Sequence, residues 1–544
     1  MSLTHPDVLP PAARLELLLR RAEPLRRTGV AVARPRHLRS HPVLCTAVAA
    51  LVLLVVGVVH ARGMYTAPLR FDDEGTYVSQ ARALLQDGQL APYTYWYDHP
   101  PLGWMLISTW LGGPGSFWHA PNLIGGGRQF MLVTDVASAG LLVILARRLG
   151  MSVWAAAAAA LLFALSPLAL TYHRMVLLDN IATPLLLAAF VCALSPKKHL
   201  LAAFGSGLAL AAAVLVKETT LLFLPFVLWT LWRSVTGPTR RMCVTVFVLG
   251  VALPVLLYPL YAATKGELLP GSNHVSLLQG VLFQLFERAS SGSVFNPGSD
   301  AHDVVSGWLT RDPFLLATAA VLAVPALLLR RLRPLAAALV FGLLMVLRPG
   351  YLPVPYVVVL LPLAALVVAG CGDSAVRWLS ARLRPQVARA SRRALLKAAA
   401  CGLVLVALSG AVLAGGNRIA HHWYYQDQSL MQVDFDRPYG GSSAWLLKHV
   451  PPGSRLLVDN VTWTDLVQAG YPQRDLVWFT KPDTDADVDR VIRSWRDIDY
   501  VVSSDIMRRS QQAAPTLRDA LAKSTTVAAF GSGSNEILIR KVHP

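Results

Sequence analysis

The sequence predicts a polytopic α-helical membrane protein of about 11 transmembrane helices that ends in an extracytoplasmic α/β domain. Three observations carry this. Of its 544 residues 54% are hydrophobic and 15% charged, well under the roughly 25% charged of soluble domains; mean hydropathy is +0.46. Apolar runs recur along the chain, each near the length that crosses a hydrocarbon core of about 30 Å. The third observation is the placing of the basic residues, which makes sense only once the runs are set in order.

An N-terminal arm, residues 1–42, is basic and lacks a small-residue cleavage site after the first apolar run, so it reads as a cytoplasmic arm and not a secretory signal. Spans are expected near 43–60, 129–146, 153–171, 176–194, 200–216, 219–232, 243–262, 313–329, 335–347, 354–370 and 398–415. They leave two long external loops, 61–128 and 263–312, within a helical body of residues 43–415. With the N-terminus cytoplasmic, the inner segments hold 25 of the 50 Lys and Arg but four of the 32 acids. The formal charge of +18 is therefore a topology signal of a multi-pass plasma-membrane protein, helped by anionic lipid heads. Nucleic acid is not an expected partner. All five cysteines (Cys45, Cys192, Cys243, Cys371, Cys401) fall in spans or inner segments, which excludes an external disulfide framework.

Residues 416–544 balance 15 Lys and Arg against 15 acids. Four short apolar runs, "RLLVDN", "DLVWFT", "DYVVSS" and "EILIRKV", read as strands, and "SSAWLLKHV" and "DADVDRVIRSWRDI" as amphipathic helices between them. Alternation of the two predicts a small α/β domain. It contains no GxGxxG or Walker loop, and no nucleotide is assigned to it.

The first external loop opens with "RFDDEGTYVSQARALLQDGQ". Tyr77, Ala81, Leu84 and Leu85 share a helical face and Asp87-Gly88 ends it, so an amphipathic helix at the membrane interface is expected. Asp72 or Asp73 is a candidate N-cap. One cap leaves two of three adjacent carboxylates unexplained where unpaired charge is costly, and a general base that orients an incoming hydroxyl is the functional reading. Downstream, Pro100-Pro101 in "YDHPPLGW" stiffens the backbone and fixes Asp98 and His99 in extended chain.

These two stretches together resemble the first-loop signature of the GT-C glycosyltransferases, in particular the branch of protein O-mannosyltransferases and the lipid A aminoarabinose transferase. Asp73 and Glu74 match its acidic pair, Tyr77 its aromatic, and Asp98-His99-Pro100-Pro101 its Pro-Pro segment. That branch usually has Glu-Lys before the prolines, so here a titratable imidazole replaces a fixed cation. Further along, "YHRMVLLDN" supplies Arg174 and Asp179, "LVKETTLLFLP" supplies Lys217, and "RPGYLPVPY" supplies Arg348 and Tyr351. The resemblance covers roughly 60–370. It implies transfer of a sugar from a polyprenyl-phosphate carrier to a protein, polysaccharide or lipid hydroxyl outside the membrane. Asp73 and Glu74 would be catalytic; Tyr77, Asp98, His99, Arg174, Asp179, Lys217, Arg348 and Tyr351 would bind substrate. No cofactor is certain. A divalent metal ion held by Asp98 and His99, with His274 and His302 in reach, is an expectation set against ordinary surface histidines.

Each cation has a plainer role open to it: snorkelling for Arg348, a pair with Glu218 for Lys217, an interhelical pair for Arg174. Asp135 is the one acid well inside a span, to be met by Arg128 or a neighbouring helix. A transporter or an envelope-assembly scaffold with a ligand-binding tail is the alternative function. A transporter should gather its charges near the midplane, whereas most of these lie at span ends.

Overall fold

The first span forms as α1, Pro42–Ala61, in a computed structural model that describes residues 42–387, apart from 197, 198, 236, 272 and 273, and residues 415–543. The basic arm and the expected span at 398–415 lie outside the described residues, save for their last residues. Two units divide the chain at 47/48 and not at 415/416, so the C-terminal α/β layer belongs to the same unit as the helical body.

After α1 come α2 (Asp72–Gln86), α3 (Leu102–Gly112), α4 (Leu123–Arg148), α5 (Val153–Ala164), α6 (Pro167–Tyr172), α7 (Leu178–Ala193), α8 (His199–Val216), α9 (Leu224–Ser234) and α10 (Thr239–Thr264). The next are α11 (Leu277–Leu282), α12 (Asp300–Arg311), α13 (Leu315–Leu328), α14 (Arg333–Leu347) and α15 (Val357–Val387). Among the described residues five helices are long and apolar enough to cross a membrane: α1, α4, α8, α10 and Val354–Ala381. The pair α12 and α13 makes a sixth if counted as one span bent by 97°, and α3, α5, α7, Leu277–Glu287 and α14 are shorter apolar helices. The expected span 153–171 is broken at Ser166-Pro167, and that at 219–232 begins as a 3-10 turn.

Small residues let the helices approach. A Cβ on Gly207 of α8 would sit 2.3 Å from the Phe247 carbonyl of α10, so glycine is required where those backbones meet. At one end of the body, Asp373 of α15 takes Arg331 at 2.8 Å, Arg377 at 2.9 Å and the Ser152 amide at 3.1 Å. The segments 147–152, 330–334 and 371–377, all expected on one side, thus meet at one point.

Past α16 (residues 415–432), α17 (Arg437–His449) leads into a five-stranded sheet. The strands are β1 (Leu456–Val458), β2 (Leu476–Trp478), β3 (Tyr500–Ser503), β4 (Ser524–Phe530) and β5 (Ile537–Val542), in spatial order β2-β1-β3-β5-β4. β1 is parallel to β2 and β3, and β5 is antiparallel to β3 and β4. Helix α18 (Asn460–Gln468) follows β1, with Asp459 capping it by accepting from the Thr462 amide at 2.7 Å. "DADVDRVIRSWRDI" gives two short turns, Ala486–Asp489 and Trp495–Asp497, and no continuous helix, because Ser494 and Asp497 cap each other across it. The start of α18 lies on α2: a Cβ on Gly75 would fall 2.4 Å from the Asn460 carbonyl carbon. The sheet layer is therefore seated directly on the helix that carries the acidic triplet.

Candidate functional site

Successive side chains on a helix point about 100° apart, and the first turn of α2 uses this to send three carboxylates to three destinations. Phe71, and neither aspartate, is the N-cap residue, which corrects the expectation of an aspartate cap. Glu74 reaches back instead and accepts from the Phe71 amide at 3.0 Å, the capping-box gesture. It also takes Arg128 of α4 in a two-pronged pair, both bonds 2.9 Å, and the Val176 amide at 3.0 Å. Glu74 is fully buried with both oxygens occupied. These contacts fix α2 to α4 and to the 173–177 connection.

Asp72 turns the other way, to the Asn460 backbone at the start of α18. Burial, with Asp459 and Asp73 close by, pushes its carboxyl up to about 8.

Asp73 points between these two. Half-buried, it faces Lys217, His99 and Arg288 as cations and Asp179 as an anion. Burial raises its pKa above the ordinary carboxylate value, and the three cations only partly offset this. Tyr77, one turn further along α2, is buried with its ring 6.2 Å from that of His99.

The Asp98–Pro101 segment is clamped against α10. The His99 carbonyl accepts from Tyr95 at 2.8 Å and from Tyr258 of α10 at 3.2 Å, and the two hydroxyls are 2.9 Å apart. Asp98 accepts from the His99 amide at 2.9 Å. His99 Nδ1 is 2.9 Å from Glu218. Burial alone would lower the imidazole pKa, but Glu218 and Asp98 raise it, so His99 favours the cationic form. Burial would raise Glu218 in turn, and His99 and Lys217 bring it below its ordinary value.

Lys217 does not pair with its neighbour Glu218. It leaves the end of α8 and donates to Asp179, at the start of α7, at 2.7 Å. Against the burial that would lower it, this contact raises the ammonium pKa. Asp179 also borders a small cleft with Thr183, Thr220 and Tyr356.

Of the other expected cations, Arg174 does not join this group. Its guanidinium donates to three carbonyls, Leu430 at 2.9 Å, Val59 at 2.9 Å and Arg62 at 2.6 Å. It ties α1 to the 415–432 helix. Arg348 is exposed at the end of α14, close enough to act on Tyr356 beside Asp179. Tyr351 is overlaid by Arg288, whose guanidinium carbon lies 3.6 Å from the ring centre. Arg288, in the 263–312 segment, faces Asp73 and was not singled out by the sequence. Asp135 sits beside His60 at 3.3 Å and His173 at 3.6 Å, so its partners come from neighbouring segments and not from Arg128.

Metal has little support in this arrangement. Among the described residues no three His, Cys, Asp or Glu converge as a ligand set. His274 bonds the Leu269 carbonyl and His302 the Val294 carbonyl, each within its own loop. Asp98 and His99 belong to no such group.

Residues 91–265, under half of the chain, match the family of dolichyl-phosphate-mannose-protein mannosyltransferases. In structure the chain is similar to ArnT from Cupriavidus metallidurans, solved bound to undecaprenyl phosphate. The TM-score is 0.53 with 17% identity, over 92% of this chain and 98% of that one. It is also similar to the oligosaccharyltransferase AglB from Archaeoglobus fulgidus, solved with an inhibitory peptide and a dolichol-phosphate. There the TM-score is 0.50 with 12% identity, over 86% of this chain and 70% of that one. A comparison with curated proteins finds no match.

Proposed function

We propose that this membrane glycosyltransferase of the GT-C fold moves a sugar from a polyprenyl-phosphate carrier to an acceptor hydroxyl outside the membrane. Asp73 would be the general base. The observation that carries this reading is the company Asp73 keeps: a carboxylate without a dedicated partner cation among the described residues, facing Lys217, His99 and Arg288 from three separate segments.

The chemistry follows from that arrangement. The acceptor hydroxyl gives its proton to Asp73 as its oxygen bonds the anomeric carbon. The bond from that carbon to the phosphate oxygen breaks, and the carrier leaves as polyprenyl phosphate. Attack from the face opposite the leaving group inverts the anomeric centre. Negative charge grows on the departing phosphate, and fixed cations aimed at it lower the barrier. Arg288 and Arg348 suit a phosphate because a guanidinium can donate two parallel hydrogen bonds. Lys217 acts at closer range while holding Asp179 in place. Tyr77 and His99 wall the sugar side.

About 11 spans, a cytoplasmic N-terminus and an extracytoplasmic α/β layer complete the reading. The meeting of the basic inner segments on Asp373 at one end of the body supports this orientation. The site, where α1 and α8 end and α4 and α7 begin, would then face outward. The test is incubation of the purified chain in nanodiscs with a panel of radiolabelled polyprenyl-phospho-sugars, following carrier release and label transfer. One donor should be turned over by the parent and by no more than a trace in Asp73→Asn. Full turnover in Asp73→Asn refutes the base assignment.

A further inference from the structure

The α/β layer meets the site a second time, through the segment of residues 93–98 that runs into His99. Three tyrosines in it grip three bodies. The Tyr93 hydroxyl donates to the Leu476 carbonyl at 3.2 Å and accepts from the Trp478 amide at 3.0 Å. β2 is an edge strand, so the phenol takes the place of a neighbouring strand. Tyr95 holds the His99 carbonyl. Tyr97, left-handed at φ 55°, bonds Glu267, and a Cβ on Gly280 would fall 2.6 Å from its carbonyl oxygen.

We propose that Asp485 of the α/β layer is a positioning residue for the site: by fastening the 93–98 segment it keeps the His99 imidazole on Glu218 and facing Asp73. The role rests on the transfer reading of Asp73 and His99; the contacts that support it do not.

Asp485 is 3% exposed and gathers donors from both sides of the joint. From the segment it accepts the Thr94 hydroxyl at 3.1 Å and the Thr94 amide at 3.3 Å. From its own turn it accepts the Asp487 amide at 3.1 Å and the Lys481 ammonium at 3.4 Å. Hydrogen bonds to an ionised carboxylate are roughly twice as strong as neutral ones. Lys481 in turn lies over Tyr93 at 5.3 Å and Trp96 at 5.1 Å, with Asp98 near enough to act on its charge. One buried carboxylate thus holds Thr94 directly and Asp98 through a cation, at the two ends of a five-residue stretch.

What faces His99 fixes the sign of the effect. Glu218 and Asp98 favour the imidazolium, Lys217 opposes it, Asp73 lies across from it, and the Tyr77 ring is beside it. Asp485→Ala acts twice in one direction. A loosened 94–98 stretch weakens the Glu218 contact. A Lys481 left without its carboxylate turns to Asp98 and offsets part of an acid that favours the cation. Both lower the pH at which His99 loses its proton.

The experiment is deuterium exchange at the His99 Cε1–H across pH, read by peptide mass spectrometry on the full chain in nanodiscs without donor. The midpoint reports that one imidazole. The parent should titrate above the ordinary value of about 6.5. Asp485→Ala should lower the midpoint by about half a pH unit or more, and Thr94→Val by a smaller amount in the same direction. Asp487→Ala, at an exposed side chain of the next turn, should leave it in place. A midpoint unmoved or raised in Asp485→Ala or in Thr94→Val, or lowered as far by Asp487→Ala, overturns the proposal. Thr94→Val spares every side chain of the layer and decides the matter if Asp485→Ala folds poorly. Turnover in Asp73→Asn is measured separately with donor present, so a failed base assignment and a failed positioning role are told apart.

Discussion

Glu74 and Asp73 are adjacent on one helix, yet one is sealed and the other is exposed to competing charges. Glu74 has four donors around two oxygens, and its partner Arg128 also bonds the Met64 and Pro68 carbonyls, each at 3.1 Å. Nothing in that pair is left to react. Asp73 sees three cations, each with other business: Lys217 with Asp179, His99 with Glu218, Arg288 over Tyr351. A carboxylate whose cations are shared stays basic and can take a proton, whereas a two-pronged buried pair locks both partners in charged form. The first is fit for chemistry and the second for architecture.

The contrast is broken most forcefully at Asp73. Asp73→Asn keeps shape and removes the base, so transfer should fall about 10²–10⁴-fold, the usual contribution of general-base catalysis, with no loss of thermal stability. Glu74→Gln should do the reverse in kind. It leaves Arg128 buried without a counter-charge, at a cost of about 3–5 kcal/mol, read as a large drop in melting temperature and in folded yield. The double variant Glu74→Met/Arg128→Met should recover part of that stability, because no lone charge remains buried. If Glu74→Gln folds as the parent does and loses only turnover, the division of labour is wrong.

Arg288 sharpens the comparison from the substrate side. Arg288→Ala should lower kcat/KM by about 10–100-fold, in the range expected for losing one charge-stabilising contact. Arg288→Lys should restore less than half of that loss on a logarithmic scale, since an ammonium neither stacks flat on Tyr351 nor donates two parallel bonds. Assays with donor concentration varied would detect it, and a parent-like Arg288→Ala would remove Arg288 from the phosphate site.

What could be read from the chain alone follows from how local each signal is. The four apolar runs of the tail announce β1, β2, β3 and β5 because each puts apolar residues into a buried row. β4, "STTVAAF", has mostly exposed side chains and left no such row to find. Helix α3 is eleven residues long, too short for a membrane-length criterion, and was absorbed into a loop. Asp73, Lys217 and Asp179 stand in motifs that resemble known ones, and the structure brings them together. The carbonyls around Arg174 are invisible in a sequence, which shows only its charge. Arg288 gave no signal because Tyr351, its stacking partner, is far along the chain. Glu74 offered only half of a capping signal: an acid stands at the third helical position, but Phe71 at the N-cap has no side-chain oxygen to complete the box.

The smallest expected effect is the shape of the pH profile, which separates Asp73 from His99. Asp73 must be deprotonated to act, and its pKa is raised by burial. Activity should therefore fall on the acid side at a higher pH than an ordinary carboxylate near 3.9 would give. His99 has a pKa raised by Glu218 above the imidazole's usual 6.5 or so. Its cationic form, and the stability of its pair with Glu218, is fully present below that usual value and lost as pH rises through the folded one. Activity should then decline a few-fold on the alkaline side as one cation facing Asp73 and the phosphate disappears. His99→Gln keeps a side chain that can still hydrogen-bond Glu218 but carries no titrating charge. It should lower the plateau modestly, abolish the alkaline decline and move the acid limb to somewhat higher pH, because the His99 cation is one of the charges that hold the Asp73 pKa down. An acid limb that moves to lower pH in His99→Gln, or an alkaline limb that survives it, would mean that His99 is not a cation acting on Asp73.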